Sequence, residues 1–239
     1  MASVAGLRSI CLGVLLSAVI AIPGQFGGVA SAGTIDIFSQ PGTGSNNVSG
    51  TNTGIMASPA WAAPPMGAEW ISYGATGCNT FVALTGICTP GPANPMGTTV
   101  TGTPTAVFYQ TFTVTDTLDS GTLDVWADDT AGVWLDSGTV TSGTGTGGIL
   151  EWAANPNLGQ NCAEPMPIGC TAGTEAQIGL SLGPGTYTLV IDAYQLVGGS
   201  PFGVMYDGVL TNTPEPASFM LMGLGLVGLG TLIRRRKRA

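Results

Sequence analysis

From Ala106 to Thr115 the chain alternates. Phe108, Gln110, Phe112 and Val114 fall on one side, and Tyr109, Thr111 and Thr113 on the other. A period of two is the mark of a strand with one buried face. The same rhythm returns over Thr122–Asp128, with Leu123, Val125 and Ala127 inward, and over Gly132–Asp136, with Val133 and Leu135 inward. It returns again through Ala176, Ile178, Leu180 and Leu182, and Thr186–Gln195 and Phe202–Leu210 complete the series of strands. Shorter strands are predicted at Thr34–Phe38 and Glu69–Tyr73, the second containing Trp70. Between them, Gln40–Gly54 and Gly77–Pro95 are rich in turn residues and read as loops, and Ser137-Gly138, Gly183-Pro184-Gly185 and Gly198-Gly199-Ser200-Pro201 as turns. Short strands at regular spacing, with no helical period between them, predict an all-β domain of the sandwich or jelly-roll type.

The pattern changes at both ends. Residues 1–32 carry Arg8, an apolar stretch Ile10–Ile22 and the small-residue sequence Ala30-Ser31-Ala32, the layout of a secretory signal peptide. At the other end, Ala217–Ile233 is an uncharged apolar run of 17 residues with four glycines. That is the short end of what one membrane-spanning helix needs. Arg234, Arg235, Arg236, Lys237 and Arg238 come directly after it, and by the positive-inside rule they hold that end in the cytoplasm. The expected organisation is a signal peptide (1–32), an exported β-sandwich domain (33–212) and a C-terminal segment (213–239) with its transmembrane helix at 217–233 and basic tail at 234–238.

Pro214, Glu215 and Pro216 stand directly before the apolar run. A Pro-Glu-Pro motif, an apolar run and a basic cluster, in that order, resemble the PEP-CTERM sorting signal of exported bacterial proteins. The resemblance implies an exosortase as partner, and a single-pass inner-membrane precursor that is processed and released to the cell envelope or exterior. It also implies a frequent association with exopolysaccharide. A permanent anchor with no processing is the plainer alternative.

Charge narrows the function. The chain has six Lys and Arg, fourteen Asp and Glu, and no His. All six cations are Arg8 and the tail cluster, while every acid lies between Asp36 and Glu215. A domain without cations has nothing to neutralise phosphates, so nucleic acid is excluded as a partner. Catalysis by Ser-His-Asp or Cys-His lacks its base, and a His-type zinc site lacks its ligands. The acids must face water, accept hydrogen bonds or bind cations. Asp124, Asp128 and Asp129 are candidate ligands for a structural Ca²⁺, which takes carboxylate oxygens; solvated acidity is the plainer reading.

Four cysteines remain after signal removal, Cys78, Cys88, Cys162 and Cys170. An even number in an exported domain predicts disulfides. Three connectivities can be drawn, and the local pairs Cys78–Cys88 and Cys162–Cys170 are favoured because each lies in one loop region.

The stretch from about 105 to 210 resembles the core of carbohydrate-binding-type jelly rolls. An Ala127-Asp128-Asp129 turn ends one strand, and Gly185-Thr186-Tyr187-Thr188-Leu189 opens another. Asp136-Ser137-Gly138 stands where those modules have an Asn-Gly hairpin. The resemblance points to glycan recognition. Alternation turns Tyr109, Trp126 and Trp134 away from the core beside carboxylates, and because rings stack on a pyranose while carboxylates accept its hydroxyls they are the candidate glycan face, with a protein-contact surface as a further alternative. The competing reading seals these rings under the long loops as a second core layer. A carboxylate glycosidase would need two acids from among Glu69, Glu151, Glu164 and Glu175, whose spacing singles out no pair. The expectation is a non-catalytic, cofactor-free surface protein.

Overall fold

The computed structural model describes residues 33–82, 87–115, 119–145, 148–154 and 168–212, with isolated positions in the tail. The chain divides into one compact unit, Gly33–Thr213, and the two terminal segments. Residues 1–32, expected to form a signal peptide, and nearly all of 213–239, including Pro214, Glu215, Pro216 and most of the apolar run, lie outside the described residues. No helix among the described residues is long and apolar enough to cross a membrane.

The compact unit contains β1 (Thr34–Phe38), β2 (Ser45–Asn46), β3 (Thr53–Gly54), β4 (Ile71–Ser72), β5 (Cys78–Val82), β6 (Ile87–Pro90) and β7 (Ala106–Val114). Next come β8 (Asp119–Asp128), β9 (Thr130–Ser137), β10 (Ile149–Trp152), β11 (Ala176–Leu182), β12 (Gly185–Tyr194) and β13 (Gly203–Asn212). Two antiparallel sheets result. The first runs β11-β8-β13-β4-β3 with β1 also on β13, and the second runs β10-β9-β12-β7-β2. The hairpin β5–β6 belongs to neither and is closed by a disulfide between Cys78 and Cys88. Cys170 is also disulfide-bonded, and Cys162, its expected partner, lies outside the described residues.

Alternation decides what faces inward. Phe108, Phe112, Val114, Leu123, Val125, Ala127, Val133 and Leu135 join Ile178, Leu189, Ile191 and Val204 in one core between the sheets. The even positions of β7 and β9 therefore split as the pattern requires: in β7 they face the core, and in β9 they face out. The hydrogen-bonded register fixes the rest. Val190 of β12 lies opposite Tyr109 of β7 on one side and Trp134 of β9 on the other.

Four details depart from the sequence-based expectation. The strand expected over Glu69–Tyr73 shrinks to Ile71–Ser72, because only Ile71 finds a partner on β13, in Val204. The loop expected over 40–54 contains two short edge strands, β2 and β3, and the loop over 77–95 folds back as the β5–β6 hairpin. In each case a few residues pair with a longer neighbour, and so short a pairing has no period to read. The edge strand β10 was hidden for the same reason.

Candidate functional site

The three rings of the expected glycan face do not share a face. Trp126 lies on the outside of the first sheet, and Tyr109 and Trp134 on the outside of the second. The expectation of a single face failed because β8 and β9 are adjacent in sequence but sit in different sheets.

Trp126 is 7% exposed, and Trp61, Ala62, Ala68, Trp70, Cys170 and Met205 pack with it in a second small core under the loop that precedes β4. Trp61 and Trp70 meet ring to ring at 4.3 Å. The Trp70 indole donates to the Ala62 carbonyl at 3.0 Å, and the Trp126 indole donates to Glu175 Oε2 at 3.1 Å. These two indoles thus have their polar edge satisfied within the protein.

The buried acids accept hydrogen bonds. Asp129 Oδ2 takes the backbone N–H groups of Leu196 at 2.7 Å and Val197 at 3.2 Å. Asp128 is fully enclosed beside Asp129 and the Trp61 indole. Burial, and then its neighbour Asp129, hold its carboxyl well above the ordinary range. Asp124 lies opposite Asp207 across the ladder, and burial first, then Glu175 and Asp207, push it upward. Asp124 and Asp128 stand four residues apart on one strand, about 13 Å at the rise of a β-strand. The three expected Ca²⁺ ligands therefore do not meet at one point, and no group of three or more acids, cysteines or histidines among the described residues is arranged to hold a metal.

The candidate glycosidase acids are scattered as well. Glu69 is exposed, Glu175 serves Trp126, and Glu164 lies outside the described residues. Glu151 alone lines a cleft. That cleft, about 620 Å³, opens between the two sheets at the edge formed by β10 and β11. Tyr187, Ile149, Leu182 and the hydroxyl-bearing Ser137 and Ser181 line it with Glu151. Burial raises the Glu151 carboxyl. The Tyr187 hydroxyl donates to the Gly183 carbonyl at 3.0 Å, which fixes the ring in the cleft wall. An aromatic ring, a carboxylate and hydroxyls in one open groove are the groups that hold a sugar: the ring covers its apolar face and the oxygens meet its hydroxyls. Sequence reasoning set Leu135 inward and read Tyr187 only as part of a strand, because alternation shows no more than which way a residue points. Accessibility here comes from the open edge, which is a property of topology.

On the outside of the second sheet, Tyr109, Val190 and Trp134 form a row, with Val107 and Val140 beside it. Asp192 and Asp136 flank the row. Asp192 is buried and is pushed up to about 6 by that burial, although Gly145 N–H and the Trp134 indole donate to it.

Residues 212–237 match the PEP-CTERM protein-sorting motif. The tail is thus a PEP-CTERM sorting signal, and it implies an exported, membrane-anchored precursor addressed to an exosortase. A solved family 35 carbohydrate binding module from Clostridium thermocellum overlaps 73% of this chain and 97% of its own, at 12% identity and a TM-score of 0.34. So loose an overlap carries no argument about function. No curated protein matches the chain.

Proposed function

We propose that this is a non-catalytic surface protein that an exosortase processes at its C-terminal signal and that holds extracellular polysaccharide through the edge cleft. The cleft carries the reading: it is an open groove that puts Tyr187, Glu151, Ser137 and Ser181 around one space. The chemistry of the domain supports binding over turnover. It has no His, Lys or Arg between residues 33 and 213, and Glu151 is the one carboxylate lining the cleft among the described residues. Glycoside hydrolysis by the two-carboxylate route needs a second acid some 5–10 Å away.

The processing half is tested in cells. Mass spectrometry of the native protein should find the C-terminal segment removed where an exosortase is present and retained where it is deleted. Replacing Pro214, Glu215 and Pro216 by alanines should give the retained form in both. An intact tail in every strain would leave a permanent anchor.

The binding half is tested by affinity electrophoresis of the purified protein in gels containing the cells' own exopolysaccharide. Tyr187→Ala and Glu151→Gln should each weaken retardation by about tenfold, the size of one lost ring or charged hydrogen-bond contact. Retardation unchanged in both variants would remove the cleft from the reading.

A further inference from the structure

The row Tyr109–Val190–Trp134 runs straight across β7, β12 and β9. Leu150 of β10 continues it, since Leu150 is the register partner of Trp134. Two aromatic rings and two aliphatic side chains thus cross four strands at about 4.8 Å per strand. Carboxylates stand at both margins: Asp192 on the Val107 side and Asp136 beside Thr188.

What covers this row is unusual. After Gly138 the chain turns back over the sheet as a strap, residues 138–145, of sequence Gly-Thr-Val-Thr-Ser-Gly-Thr-Gly. Val140 is its one large apolar side chain, packed against the row. Otherwise the strap is held by polar contacts: the Thr188 hydroxyl donates to the Gly138 carbonyl at 2.7 Å and accepts from Val140 N–H at 3.1 Å, which fixes its first residues, and the later residues bond a ring of the row and the carboxylate beside it. The Tyr109 hydroxyl donates to the Gly143 carbonyl. Gly145 N–H donates to both oxygens of Asp192, at 3.3 and 3.2 Å. Gly145 also lies against Trp134, so closely that a Cβ added there would collide with ring atoms Cδ1 and Cγ. Backbone against an indole, a carbonyl taking the tyrosine hydroxyl and an N–H feeding the carboxylate are the kinds of contact that a sugar ring and its hydroxyls make. One acceptor is left over: Asp136 is 5% exposed, its Oδ1 has no hydrogen-bond partner among the described residues, and Gly148, beyond the strap, lies against it. A buried carboxylate oxygen without a donor is costly, and a ligand hydroxyl that reached it past Gly148 would relieve it.

We propose that the outer face of the second sheet is a further binding platform for a non-anionic pyranose glycan, covered by the strap 138–145 acting as an internal stand-in and reached when that strap lifts. This rests on the glycan reading above but uses a different face of the sandwich. The class of sugar is set by charge. Asp192 and Asp136 flank the row, and the domain contains no cation, so a uronate polymer would meet uncompensated repulsion. Hydroxyls, amides or ammonium groups would each find an acceptor. Beyond the Thr188 and Thr186 anchors at its start, the strap's polar contacts, to Tyr109 and Asp192, are ones a ligand can replace, so lifting residues 141–145 trades like for like.

The test separates strap, platform and cleft. In the full chain, purified in detergent, Gly145→Val removes the strap's seat on Trp134 and leaves every platform side chain in place. Acrylamide quenching of the tryptophan emission should rise as Trp134 becomes accessible. Binding of cellohexaose or of a glucosamine hexamer should tighten by about tenfold or more, and polygalacturonate should not bind. The gain should vanish on adding Trp134→Ala and persist on adding Tyr187→Ala. Tightened binding lost with Tyr187→Ala instead would assign the sugar to the cleft and overturn the platform. Increased quenching with no gain in affinity would overturn it too. Val140→Ser loosens the strap at its other anchor and serves if Gly145→Val does not fold. It should give a smaller gain in the same direction, and no gain would refute the proposal. Cleft variants that fail to alter wild-type binding, with Gly145→Val still gaining affinity, would remove the cleft and leave the platform standing.

Discussion

Trp126→Ala is expected to destabilise the domain by about 3–5 kcal/mol and to leave the affinity of the folded fraction for polysaccharide unchanged. The side chain is enclosed by Trp61, Trp70, Met205 and Cys170, so truncation opens a cavity that a rigid aromatic cluster cannot refill. It also takes the donor from Glu175 Oε2, though Gly173 N–H still donates there at 2.8 Å. For a domain of this length, 1 kcal/mol corresponds to roughly 2–4 °C. The melting temperature should therefore fall by about 10 °C, measured by calorimetry. Trp126→Phe should recover most of the loss, since the cluster needs the ring more than the indole N–H. An unchanged melting temperature with lost glycan retention would return Trp126 to the role of a sugar platform. Trp134 makes the contrast: both rings sit on alternating strands and both point away from the main core. One is sealed by apolar side chains and the other by a polar, glycine-rich strap.

That contrast marks how far the sequence could be read. Alternation in β7, β8, β9 and β11 identified those strands and the inward side of each, because one buried face leaves a period of two. The β-branched and aromatic runs of β12 and β13, set between glycine turns, identified the other two long strands. Sheet membership left no such trace. Nothing local in Asp128-Asp129-Thr130 says that β8 stays in the first sheet while β9 crosses to the second, so alternation alone groups the rings of consecutive strands on one face. Composition marks the loops, and composition does not distinguish an open loop from one that carries Trp61 and Trp70 back over a sheet. The sorting signal was fully legible, because an apolar run and a basic cluster act through their order and not through tertiary contacts. The cleft was not, because Tyr187 and Leu135 look like any other strand residues until the edge formed by β10 and β11 is known to be open.

The absence of cations from the domain also fixes an unusual dependence on pH. Asp124, Asp128, Asp136, Asp192, Asp207 and Glu151 all have carboxyls raised by burial. A folded pKa above the unfolded one means that the native state holds more protons between the two values. Stability from such groups is fully present below about pH 4 and is lost as pH rises through each folded value. For Asp192 the window runs from the ordinary 3.8 to about 6, and a shift of that size is at most about 3 kcal/mol. The usual opposing process is missing. Acid normally unfolds proteins by protonating paired carboxylates and leaving unbalanced cations, but this domain has no side-chain cation to leave. Protonation takes it toward neutrality and removes self-repulsion. Thermal unfolding should therefore show a higher midpoint near pH ~4.5 than near pH ~8, with the steepest fall between about pH 4 and 6.5. Asp192→Asn should flatten that fall. Asp128→Asn should raise the midpoint at the alkaline end, because the amide can still accept from the Trp61 indole and can donate to Asp129 without the cost of a buried charge. A midpoint that instead climbs with pH across this range would mean that the acids are held ionised by something other than this chain, and a bound cation released by chelator would then be the first candidate.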